Sequence, residues 1–133
     1  MKPERVALQG VSELHDIVGR VVQTRIREVE ALASGLDRRD KQGLHDFRIA
    51  CKRVRYALER FGDLDGSFEA SAERFTALQD ALGEAHDRDV LLTILPPTMG
   101  KTQRRLQEER EQCVDRAVAL WKQPLGTGGS HEI

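Results

Sequence analysis

Residues Leu44–Glu59, LHDFRIACKRVRYALE, decide how the rest of the chain is read. His45, Arg48, Lys52 and Arg55 follow one another at steps of three, four and three. On a helix turning about 100° per residue their side chains fall within about 80° of one another, a single polar stripe roughly 15 Å long. Phe47, Cys51, Val54, Leu58 and Phe61 take the other side. The stretch is a helix with a core face and, turned away from it, a row of three cations and an imidazole.

On the N-terminal side, Val11, Leu14, Val18, Val21, Val22, Val29 and Leu32 keep helical spacing and predict a first helix over 12–34, with Gly35 as its stop. Arg25 interrupts that apolar stripe; it either snorkels at the edge or faces a polar cleft shared with the second helix. GLDRRDK at 35–41 reads as a linker, with Asp40 the cap of the second helix, which ends near Phe61-Gly62. Phe68, Ala72, Phe75, Leu78 and Leu82 predict a third helix over 67–82 that stops at Gly83. EAHDRDVLLTIL then forms a short connecting helix, with Asp87 a candidate cap and His86 a helix-end hydrogen bonder, and Pro96-Pro97 end it. A last helix over 99–122 presents Met99, Leu106, Cys113, Ala117 and Leu120 on its apolar face, with Glu and Arg on its outer faces supplying solubility. No stretch reads as a strand. The expected fold is all-α, an antiparallel four-helix bundle with a short connecting helix, over residues 1–123, followed by a disordered tail over 124–133.

The 133 residues suffice for one domain with its own core. Cys51 and Cys113 sit at apolar helical positions far apart, so both are expected as buried free thiols in a reducing, cytoplasmic setting. No apolar run approaches the length of a membrane span, and no membrane contact is expected. The net charge of −1 argues against a general nucleic-acid binder, yet charge is segregated along the chain. Residues 38–60 hold eight basic against three acidic side chains, net +5, and residues 61–92 hold two basic against eight acidic, net −6.

A row of guanidinium, ammonium and imidazole groups suits a multiply charged anion. The same row is equally the solvated face of a helix, or a set of partners for the acidic helix that follows, and spacing alone does not choose between these. His-Asp at 15–16, 45–46 and 86–87 resembles the dipeptide of metal-dependent phosphohydrolases, but three cations beside His45 oppose a metal there. A histidine phosphotransfer protein with His45 as phosphoacceptor is an alternative, although Ile49 would crowd the modified nitrogen. A plain protein-interaction bundle is another. No cofactor, metal or catalytic residue is expected.

HDFRIACKRVRY, from His45 to Tyr56, resembles the signature of CHAD domains, the conserved-histidine α-helical domains, whose pattern is H-x-x-R-V/I-x-x-K/R-R-L/V-R. LQDALGEAHDRDVLL, from Leu78 to Leu92, is similar to that family's second segment, in the same register. The resemblance implies an all-helical domain that binds inorganic polyphosphate through a basic surface and is not an enzyme. Carried over by position, His45, Arg48, Lys52 and Arg55 would be the binding groups, with Arg53 and Tyr56 adjacent. Asp87 matches an acidic position and is read as supporting, as a helix cap or as the ion-pair partner of a motif arginine; Arg25 is read as supporting too. Domains of this family usually contain two four-helix halves enclosing the basic surface, whereas this sequence carries one such half and is net acidic. Either a homodimer rebuilds the second half by two-fold symmetry or the chain is a reduced, non-binding version; the homodimer is the expectation.

Overall fold

The computed structural model describes residues 2–10, 13–62 and 66–123. Five helices follow in order: α1 Leu14–Ala31, α2 Ser34–Arg38, α3 Lys41–Arg60, α4 Ser67–Ile94 and α5 Gly100–Lys122. Among the described residues there is no strand. The four long helices make a bundle in which α3 packs on α1, α2 and α4, and α4 packs on α5. Side-chain pairs between α4 and α5 keep a nearly constant sum of residue numbers, as in Arg74 with Leu120, Glu84 with Arg116 and Asp89 with Arg110, so these two helices run antiparallel. The disordered tail expected at 124–133 lies outside the described residues, as does Val11.

The α3 helix begins where the sequence says it should. Asp40 is extended and its carboxylate accepts a hydrogen bond from the Gly43 N–H at 3.1 Å, which satisfies one of the free donors of the first turn. That bond, with Arg38 as a second donor, holds the Asp40 carboxyl below the usual carboxylate range. Phe47, Ala50, Cys51, Val54 and Leu58 are all buried, 1% exposed or less, so the apolar face of the quoted stretch is the core face. Val18, Val22 and Val29 of α1 and Leu78, Ala81 and Leu82 of α4 complete that core, with Val114 and Ala117 of α5. Cys51 and Cys113 are free and buried, and burial pushes the Cys51 thiol far up in pKa. Leu14, in contrast to its expected place in the α1 stripe, is 57% exposed.

Two boundaries differ from the sequence expectation. First, α1 ends at Ala31 and a separate short helix, α2, occupies Ser34–Arg38 where a linker was expected. Gly35 is therefore not a stop; it lies buried against Gly43 of α3, and a Cβ added to it would meet the Gly43 carbonyl oxygen at 2.5 Å. Backbone rather than a movable side chain blocks that space. Gly35→Ala is expected to cost about 2–3 kcal/mol and lower the melting temperature by about 10 °C.

Second, α4 continues through Gly83 to Ile94 as one helix of 28 residues, so the short connecting helix is α2 and not 84–95. The flanking residues hold Gly83 in the helix despite a cost of about 1 kcal/mol relative to Ala. Gly83→Ala is the complement of Gly35→Ala. Nothing lies within 4 Å of an added Cβ there, so it is expected to raise stability by about 0.5–1 kcal/mol, read as a higher melting temperature.

The junction of α2 and α3 is latched onto α5. Arg39, at φ 60, occupies the left-handed region, and its guanidinium pairs with Asp115 at 2.6 Å and Glu111 at 2.9 Å. Arg110 donates to the Arg39 carbonyl at 2.7 Å and pairs with Glu111 at 2.8 Å. Hydrogen bonds from Arg110 and then Arg39 hold the Glu111 carboxyl below its ordinary range, and bonding to Asp115 and then Glu111 raises the Arg39 guanidinium. At the far end of α5, Arg74 donates to the carbonyls of Leu120 and Trp121, placing a cation on the negative end of that helix. Trp121 meets Phe47 edge to face, with centroids 5.3 Å apart.

Candidate functional site

The polar face of α3 is arranged as two neighbouring groups. Toward its N-terminus His45 is exposed and Arg48 half-buried, and both line an open groove of about 210 Å³ between α3 and α4. Lys41, Gln42 and Leu44 complete the α3 wall; Leu82, His86, Asp89, Val90 and Thr93 form the α4 wall. One to two turns further along, Tyr56 stands between two cations, with the Lys52 ammonium 5.6 Å and the Arg55 guanidinium 4.9 Å from its ring centroid. These cation–π contacts hold the two long side chains over one ring and keep them together on the row.

The acidic α4 does not neutralise this row. Two of its carboxylates are taken up by α5: Asp89 accepts from Arg110 at 3.1 Å, and Glu84 pairs with Arg116. Glu69, Glu73 and Asp80 line a separate groove with Glu59. Among the described residues neither Arg48 nor Lys52 has a carboxylate partner, and Arg55 has only the loose, same-helix Glu59 at 3.8 Å. At that distance, with Glu59 half-exposed, the pair contributes little, so the row remains cationic. The arginines expected to serve solubility on the outer faces of α5 are, at Arg110 and Arg116, the partners of α4.

The remaining expected positions fall elsewhere. Arg53 is half-buried and, one residue on from Lys52, projects about 100° away from the row. Arg25 is held by Glu28 of its own helix at 2.5 Å, and the α3–α4 groove does not include it. Asp87 is exposed in the interior of α4, so it caps no helix, and among the described residues it pairs with no arginine; His86, for the same reason, is not at a helix end. The acid that holds an arginine is Asp89, two residues on, with both it and Arg110 only 12% exposed in their side chains. A sequence signal for it existed: Asp89 follows Leu82 by seven and Ala85 by four, which puts a carboxylate on the core face, where it needs a partner. Asp89→Asn is expected to leave the Arg110 guanidinium short of a counter-charge and to cost about 2–3 kcal/mol, somewhat less than in a fully enclosed pair. Asp87→Asn should shift the melting temperature by no more than about 1–2 °C, so the two variants separate the two carboxylates in a single thermal scan.

Among the described residues no group of three or more His, Cys, Asp or Glu side chains is placed to hold a metal ion. Nor is any helix of the described residues long and apolar enough to cross a membrane.

The structure is thus an all-α helical bundle with a cationic row along one flank of α3. A family model described as CHAD domain matches residues 3–96, more than two thirds of the chain, and the chain belongs to the CHAD-domain family. The match spans α1 to α4 and stops before α5. No curated protein and no solved structure matches the chain.

Proposed function

We propose that this CHAD domain binds inorganic polyphosphate along the α3 row, by charge and hydrogen bonding and without a bond-making step. The observation that carries the reading is that Arg48 and Lys52, both half-exposed, have no carboxylate partner among the described residues, while Asp89 of the groove wall and Glu84 are engaged by α5. An extended polyanion touches several groups of a row roughly 15 Å long at once, whereas a single orthophosphate touches one or two. His45 and Arg48 engage one stretch of the polymer in the groove, and Lys52, Arg55 and Tyr56 engage the next. Family membership supports the reading, and the two buried free thiols fit a reducing, cytoplasmic setting. Titration with long-chain polyphosphate, and separately with orthophosphate at equal phosphorus, tests it: saturable binding of the polymer alone is expected, and equal or absent binding of both is the contrary result.

The row acts as half of a site that a second copy completes. Val90, Leu91 and Ile94 near the end of α4 are 45%, 43% and 69% exposed, and Val90 belongs to the groove that His45 and Arg48 line. A two-fold contact covering these side chains brings two basic rows to the same cleft. Sedimentation equilibrium is expected to give a dimer that Ile94→Asp returns to monomer. A wild-type monomer at high concentration, with and without polyphosphate, contradicts this arrangement.

A further inference from the structure

We propose that His86 is a second imidazole of the anion site, closing on a phosphoryl group from α4 while His45 closes on it from α3, so that binding draws protons onto both rings. The inference rests on the polyphosphate reading above and adds a residue and a proton balance to it. His45 and His86 line the same groove from facing helices, and both are exposed. Their neighbours there are Lys41 and Arg48 from α3 and Asp89 from α4. Among the described residues Asp89 is the only carboxylate of the groove wall, and its charge is turned to Arg110 of α5 at 3.1 Å. Asp46, on the adjoining flank of α3, accepts the Gln42 side-chain amide at 2.9 Å. Among the described residues, an anion entering the groove therefore meets two fixed cations, two imidazoles and no free carboxylate from the wall.

A neutral imidazole offers one N–H donor and an imidazolium offers two. A bound phosphoryl oxygen stabilises the charged form, so each ring gains a proton from solvent as the complex forms and releases it when the polymer leaves. No covalent bond changes. The sign follows from linkage: if binding raises a ring's proton affinity, the full affinity is present below the free ring's protonation range and is lost as pH rises through that of the complex.

The test uses the full chain and long-chain inorganic polyphosphate, titrated calorimetrically at pH 7.5 in two buffers of different ionisation enthalpy, which gives the protons taken up per site. Wild type is expected to take up protons; His86→Gln should lose about half of that uptake and bind about 3- to 10-fold more weakly. His45→Gln should lose the other part, and the double variant nearly all of it. Unchanged uptake and affinity in His86→Gln, with wild type binding normally, overturns the role of His86 and leaves the polyphosphate reading standing. No binding by wild type at pH 6 or pH 7.5 overturns both.

Discussion

Replacing Arg48 and Lys52 together with alanine is expected to weaken polyphosphate binding by about 100-fold or more while leaving the fold intact. Each substitution removes a charge-assisted contact worth about 1.5–3 kcal/mol, and the two lie far enough along the row that the losses largely add. Neither side chain has a carboxylate partner among the described residues, so no carboxylate is left behind unpaired and little stability is lost. Lys52 also leaves the Tyr56 ring to Arg55 alone, a minor further loss. Fluorescence anisotropy with labelled polyphosphate, beside a thermal melt of the same preparation, reads both quantities. A variant that binds as wild type does would place the anion on another surface.

Phe47→Ala carries the largest expected cost in stability, about 3–5 kcal/mol. Phe47 is fully buried on the core face of α3, and its ring meets Trp121 edge to face at 86°. Truncation opens a cavity where α3 receives the last turns of α5, and it removes the ring against which the sole tryptophan is packed. The melting temperature is expected to fall by about 10–20 °C, and Trp121 emission to shift toward longer wavelength as α5 loosens. A shift in emission with an unchanged melt would mean that α5 frays independently of the bundle. The position matters for function because α5 engages Glu84 and Asp89 of α4. If it loosens, Glu84 and Asp89 lose their arginines and the groove gains negative charge.

Local signals in the sequence were strong where a single helix decides the outcome. Asp40 as cap and the buried positions from Phe47 to Leu58 depend on one period and one turn, and both stand as expected; His45, Arg48, Lys52 and Arg55 follow from the same period as the flank turned away from that core. The boundaries misread were those where a glycine has a tertiary reason. Gly35 is small because Gly43 passes within contact of it, and Gly83 stays helical because its neighbours bury their side chains on both sides; a glycine in isolation reads as a stop in both cases. The supporting carboxylate was misplaced by two residues for a similar reason. Asp87 and Asp89 differ only in which face of α4 they occupy, and the partner of Asp89 is Arg110 on a helix that begins eleven residues later. Whether the acids of α4 would quench the basic row likewise depends on the register of α4 against α5, which no local pattern fixes.

The central claim is that the α3 row binds a polyanion by charge, and its most direct measure is the dependence of polyphosphate affinity on salt. For a flexible single-stranded polyanion each neutralised phosphate contributes about −0.7 to the slope of log affinity against log salt. The three permanent cations of the row, Arg48, Lys52 and Arg55, therefore contribute about −2 to the slope, a loss of at least roughly 15- to 20-fold between 50 and 200 mM salt. Removing Arg48 and Lys52 is expected to bring the row's contribution to the slope of any residual binding to about −0.7. Binding whose affinity stays flat across that range, or no binding at the lowest salt, contradicts the account.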